Sequence, residues 1–128
     1  MPIIKIGIQL TKNREKYEYL LSVLTSHIHS TKEYEFIHIG DDADLKTKIG
    51  NLDILTTYKM DETIFSQSSE KLKWIHLGSA GIENSLFPSI LKSKTIITNA
   101  SGVHAGPVSE FAIGMMLYLS KQFGGCEK

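Results

Sequence analysis

The sequence predicts an α/β fold, an open parallel sheet of five strands with helices on both faces. Three features of the 128-residue chain point there. Short β-branched runs recur, each followed by a polar or helical stretch, which is the alternation of βαβ units. The runs are nearly continuously apolar rather than strictly alternating, as in strands covered on both sides. Hydrophobic residues make up 41% and charged residues 22%, the composition of a globular domain that buries about two thirds of its unfolded surface.

The expected strands are Ile3 to Leu10, Tyr34 to Ile39, Leu52 to Thr56, Leu72 to Leu77 and Thr95 to Asn99. Between the first two, Asn13 can cap a helix whose Tyr17, Leu20, Leu21 and Leu24 fall at i, i+3, i+4 and i+7, a single buried stripe. Asp41 and Asp42 follow the second strand and suit helix capping. The segment from Asp42 to Ile49 is short, and that from Asp61 to Glu70 is polar, so helix is only weakly signalled there. Pro107 suits a first helical position, and a helix is expected from Pro107 to Gln122, stopping before Gly124 and Gly125. Val108, Phe111, Ala112, Met115, Met116 and Leu119 form its regular stripe, yet Ile113, Leu117 and Tyr118 occupy the other side. A helix apolar nearly all round implies burial from both sides. No linker, repeat or low-complexity tract appears, so residues 1–128 read as one domain.

Composition excludes several roles. The 14 Lys and Arg balance the 14 Asp and Glu, leaving no basic excess for neutralising phosphates, so neither nucleic acid nor an acidic membrane surface is an expected partner. The longest apolar stretch, Phe111 to Leu119, is too short for a span of about 20 residues. The start of the chain carries Lys5 inside its apolar run and no small-residue cleavage site, unlike a secretory signal. A single cysteine, Cys126, cannot close a disulfide within the chain, which fits a reducing cytoplasm. With no base nearby in sequence, Cys126 reads as incidental rather than nucleophilic.

Two glycine-bearing loops follow the fourth and fifth strands, Gly78 to Ser85 and Asn99 to Glu110. Both fall at the carboxyl ends of strands, where open parallel sheets hold ligands. The amides around Ser79, Ala80 and Gly81 can converge on an anion such as a carboxylate. The competing reading is that these glycines serve tight turns that need positive φ. Gly78–Gly81 has GxxG spacing and Gly102–Gly106 has GxxxG, so neither is a dinucleotide fingerprint or a P-loop. The loop after the first strand, Thr11 to Lys16, lacks the Ser, Thr and Gly richness of a flavin phosphate loop. No pair among His27, His29, His38, His76 and His104 has metal-site spacing with a glutamate. His104 alone lies in a crevice loop, where it either contacts a ligand or neighbouring domain, or is simply solvated.

Read together, LKWIHLGSAGIENS from Leu72, the strand TIITN from Thr95, and SGVHAGPVSEFAIGMMLYLSK from Ser101 resemble the N-terminal half of a D-isomer-specific 2-hydroxyacid dehydrogenase. The likeness runs from about Leu72 to Lys121: a glycine turn, a strand, then a glutamate opening an apolar helix. It implies a flavodoxin-like substrate-binding domain whose turn amides, at Ser79, Ala80 and Gly81, hold the carboxylate of a 2-oxo or 2-hydroxy acid. Glu110 matches the glutamate that opens the interdomain helix, and Tyr58, in the loop after the third strand, joins His104 and Glu110 as a cleft contact. Glu83 stands where the family usually carries Asp or Asn. The family's activity is reversible hydride transfer with NAD(P), yet its GxGxxG loop, catalytic arginine, supporting glutamate and catalytic histidine match nothing here. The resemblance therefore implies a fragment without its nicotinamide-binding domain, binding no NAD(P) and inactive alone, whose helix 107–122 mediates a homodimer.

Two other classes compete. A phospho-receiver would need carboxylates where this chain has Thr11, Lys12 and Thr56 or Thr57. A pure self-association module would use the last helix without binding any acid.

Overall fold

The computed structural model describes residues 2–29 and 33–125; Cys126 lies outside them. Five strands form: β1 (Ile4–Gln9), β2 (Tyr34–His38), β3 (Ile54–Thr57), β4 (Trp74–Leu77) and β5 (Ile96–Asn99). Each lies within two residues of the span its β-branched run predicts. All neighbouring pairs are parallel, and the order β2-β1-β3-β4-β5 is the flavodoxin-like winding, with its switch point between β1 and β3.

The caps behave as the sequence indicates. Asn13 Oδ1 accepts from the Lys16 amide at 3.0 Å and starts α1 (Arg14–Ser26). Asp41 Oδ1 accepts from the Asp44 amide at 2.9 Å and starts α2 (Asp42–Lys48). Asp61 caps the single turn of α3 (Glu62–Phe65). A further short helix, α4 (Pro88–Lys92), was not expected; Pro88 sits in its first turn, where the missing N–H costs nothing.

Register decides which side chains share a face. Gly7, Leu55, Ile75 and Ile97 lie in one row across β1, β3, β4 and β5. That face carries the core, where Leu45, Ile49, Ile64, Phe65 and Ile90 from the α2–α4 side close over Leu55 and Ile75. Gly7 is required by close approach: a Cβ there would lie 2.6 Å from Leu52 Cδ1 and 2.8 Å from Ile39 Cδ1. The alternate row, Ile6, Ile54, Trp74 and Ile96, points to the opposite face.

That opposite face is only half covered, which corrects the expectation of strands buried on both sides. Tyr17 is buried, its ring stacked on His38 with centroids 4.3 Å apart, and this seats α1 over the β1–β2 side. Leu20 and Leu24, expected to be buried with it, are exposed, and Leu21 is only half-buried. No element continues the layer over β4 and β5 among the described residues, where Trp74 is 40% and Ile96 63% exposed.

The last helix, α5 (Ala105–Ser120), also departs from expectation. It starts two residues earlier and ends two earlier than the span 107–122, so Pro107 is its third residue, still within the first turn where no intrahelical N–H partner is lost. More consequentially, none of its side chains is buried; Phe111 is 71% exposed. The expectation of burial from both sides fails because α5 runs off the sheet instead of folding back on it. No helix among the described residues is long and apolar enough to cross a membrane.

Asp44 ties α2 to the end of β2, accepting from Lys48 Nζ at 2.9 Å and from the Gly40 amide at 3.1 Å. The Lys48 hydrogen bond, then that of Gly40, holds its carboxyl below the ordinary 3.8. A depressed folded-state pKa stabilises the fold above pH 3.8 and loses that contribution as pH falls through and below it. Asp44→Asn is therefore expected to lower stability at neutral pH and to flatten its loss below about pH 4. Urea midpoints from pH 3 to 7 check this, and parallel profiles for the two proteins would refute it.

Candidate functional site

The loops at the carboxyl ends of β1, β2 and β3 surround a crevice of about 540 Å³ at the switch point. One wall is Thr11 and Lys12, another Asp41 and Asp42, and the third Thr57, Tyr58 and Lys59. Its base is hydrogen bonded: Thr57 Oγ1 donates to Gln9 Oε1 at 2.9 Å, and Gln9 Nε2 donates to Asp42 Oδ1 at 2.8 Å. Gln9 is thereby held in one amide orientation, and Asp42 lends one oxygen to the fold. The ammonium groups of Lys12 and Lys59 have no ion-pair partner within 4.0 Å among the described residues.

The β4 loop is stitched to this crevice through Tyr58. The Ser79 hydroxyl lies 2.9 Å from the Tyr58 carbonyl and 3.0 Å from that of Gly81, donating to both in a shared bond. Asn99 Nδ2, at the end of β5, donates to the Ala80 carbonyl at 2.7 Å. The Ser79 carbonyl accepts from the Ala100 amide at 3.2 Å. The carbonyls of residues 79, 80 and 81 are all engaged, while their three amides donate to no acceptor among the described residues. A loop whose carbonyls are engaged and whose amides meet no acceptor leaves its donors to solvent or to a ligand.

In the first loop neither Gly78 nor Gly81 has positive φ, whereas Gly102 in the second loop takes it, at +86°, as a tight turn requires. A Cβ on Gly78 would lie 3.2 Å from the Tyr58 ring, so this glycine seats the tyrosine against the loop. A Cβ on Gly81 would lie 3.0 Å from Glu83 Oε2, so a carboxylate rests beside the free amides. Like charge there opposes any bound anion.

Of the predicted site residues, Ser79, Ala80, Gly81 and Tyr58 are brought together. His104 and Glu110 are not joined to them by any hydrogen bond or ion pair among the described residues; both are exposed at the start of α5, and only the His104 backbone takes part in capping, accepting from Val108 N. Sequence reasoning missed Asn99 as the clamp on Ala80 and missed Thr11, Lys12 and Lys59 as crevice walls. Strand order was the absent signal, since only the switch between β1 and β3 says where the first loop's side chains converge.

No family model matches this sequence, and no curated protein matches it. Among solved structures, the chain is similar to the PH0520 protein of Pyrococcus horikoshii OT3, with a TM-score of 0.62 and 25% identity over 97% of this chain. The match spans only 35% of that protein's length.

Proposed function

We propose that this chain is the substrate-binding domain of an NAD(P)-dependent D-2-hydroxyacid dehydrogenase and holds the carboxylate of a small 2-oxo or 2-hydroxy acid. The observation that carries the reading is the trio of unpaired amides at Ser79, Ala80 and Gly81, on a loop whose carbonyls are all engaged. The same loop is hydrogen bonded to Tyr58, which lines the switch-point crevice. The position of the loop at the carboxyl end of β4 and the likeness of residues 72–121 to that family support the same assignment.

Hydride transfer is not assigned to these residues. Neither GxxG at Gly78 nor GxxxG at Gly102 cradles a pyrophosphate, and no glycine occurs between Thr11 and Lys16 after β1. The chain's own chemistry is to bind and orient the acid, leaving the nicotinamide and the proton donor to a second domain.

Amide NMR titration with pyruvate, glyoxylate or hydroxypyruvate tests the binding reading. Shifts at residues 79–83, with Tyr58 beside them, are expected, with affinity in the millimolar range, because a few amides facing water compete poorly with hydration. Glu83→Gln, which removes the neighbouring negative charge, is expected to tighten binding roughly three- to tenfold, about 1 kcal/mol for charges in a wet site. Absence of shifts at residues 79–83 at saturating acid would refute the assignment.

A second reading, that the chain also pairs with a copy of itself, is favoured by α5. Val108, Phe111, Ile113, Met116, Leu117 and Leu119 all stand more than half exposed on this one helix, an apolar surface of the kind that marks an interface.

A further inference from the structure

A basic cavity lies at the end of the sheet opposite the candidate site. It holds about 480 Å³ and opens between the chain leaving α3 and the approaches to β4 and β5. Two of its lining residues, Phe65 and Leu72, are buried and apolar. The charged ones are Lys73, Lys92 and Lys94, with Glu70 as the single carboxylate among them.

The formal charge of the whole chain is zero, so this gathering is local. Lys73 sits just before β4 and Lys94 just before β5, and the sheet zips these two approaches together. The Ile96 amide donates to the Lys73 carbonyl at 2.8 Å, and Thr95 Oγ1 donates to the Leu72 carbonyl at 2.9 Å. Segments about twenty residues apart in sequence thereby bring their lysines to one rim. Lys71 adds a positive charge nearby, its Nζ donating to Asn51 Oδ1 at 3.2 Å.

None of these lysines is neutralised by a carboxylate. The ion pairs among the described residues join Lys5 to Glu35, Arg14 to Glu18 and Lys48 to Asp44, all elsewhere. Lys73 Nζ donates to the Glu70 carbonyl, and the ammonium groups of Lys92 and Lys94 meet no acceptor among the described residues. The Ser68 hydroxyl, also on the lining, is likewise without a hydrogen-bond partner among them. By contrast, the Ser69 and Ser93 hydroxyls are already engaged, donating to the Gly50 carbonyl at 2.8 Å and the Ile90 carbonyl at 2.7 Å.

Unpaired like charge collected at a cleft raises the local potential and draws anions to it. Three ammonium groups against one carboxylate balance a phosphate monoester, which carries about −1.5 to −2 at neutral pH, better than a single carboxylate. The volume falls within the range of about 300–1,000 Å³ typical of small-molecule sites, and the Phe65 and Leu72 side chains offer an organic part an apolar contact.

We propose that this cavity is a second ligand site, for a phosphate dianion carried free or as the monoester of a small organic molecule. Lys73, Lys92 and Lys94 are its counter-charges, and Ser68 is its neutral donor. The site is independent of the proposed carboxylate site. The loops Gly78 to Ser85 and Asn99 to Glu110 leave the carboxyl ends of β4 and β5, whereas the cavity flanks their amino ends, so either assignment can fail without the other.

Amide NMR titration with inorganic phosphate and with glycerol 3-phosphate, each against sodium chloride at matched low ionic strength, tests the site. Shifts are expected at residues 68–73 and 92–95, saturating in the low millimolar range, since exposed ammonium groups are screened by salt. The paired variant Lys92→Gln with Lys94→Gln is expected to weaken binding about tenfold or more, and Glu70→Gln to tighten it roughly threefold. All three side chains are exposed and outside the core, so these variants are expected to fold, which circular dichroism checks. Tighter binding of glycerol 3-phosphate identifies an ester as the occupant, and equal or weaker binding identifies the free anion; either upholds the site. Absence of shifts at residues 68–73 and 92–95, shifts that chloride reproduces, or an affinity that the paired lysine variant leaves unchanged overturns it.

Discussion

Ile75→Ala is expected to cost about 2–5 kcal/mol of folding free energy, whereas Ile96→Ala, one register position away on the neighbouring strand, is expected to cost less than about 1. The two isoleucines differ in face, not in chemistry. Ile75 is completely buried at the centre of β4, between Leu55 and Ile97 in its register row and under the α2–α4 layer. Removing three carbons there leaves a cavity that packed neighbours cannot fill. Ile96 points to the opposite face and is 63% exposed, so its truncation forfeits little buried area. Against a typical total of 5–15 kcal/mol, the first loss shifts the unfolding midpoint severely and the second barely. Urea titrations at submicromolar protein, where association does not contribute, decide the matter. Equal losses would mean that the outer face is packed as tightly as the inner one.

Leu117→Glu or Met116→Glu is expected to weaken self-association by about ten- to a hundredfold, against less than about threefold for Lys16→Glu on the polar side of α1. Burying a side chain of this size is worth roughly 1.5–3 kcal/mol, and each 1.4 kcal/mol is a factor of ten in the dissociation constant. The folded monomer is expected to tolerate these variants, because none of the α5 side chains contributes to the core. Sedimentation equilibrium gives the constants and far-UV circular dichroism checks the fold. A clean wild-type monomer at tens of micromolar, or association insensitive to both α5 variants, would refute the role of this helix.

Much of the candidate site was written in local sequence, and its working parts were not. GSAG after a β-branched run marked the loop at Ser79–Gly81, because glycines at the end of a parallel strand signal backbone crowding there. What they crowd against was invisible. Gly78 yields space to the Tyr58 ring, twenty residues earlier, and so answers to steric approach instead of positive φ. Ser79 and Asn99 occupy the loop's carbonyls, and Asn99 reaches Ala80 only through the pairing of β4 with β5. Likewise, Lys12 and Lys59 share a crevice because β1 and β3 are neighbours, a fact of strand order and not of spacing.

The sequence by itself determined the five strands, the caps at Asn13 and Asp41, and the apolar circumference of the last helix. Each depends on interactions within a few residues: β-branched crowding, a side-chain oxygen meeting an amide three residues on, side chains repeating every 3.6 residues. Which apolar surfaces would be buried was decided only by tertiary structure. Tyr17 and Leu24 lie on the same helical stripe, yet one is stacked on His38 and the other borders an open groove. The hydrophobic drive is equal for both, but it is satisfied only where the winding of the chain brings a second surface within contact, and α5 leaves the sheet before supplying one.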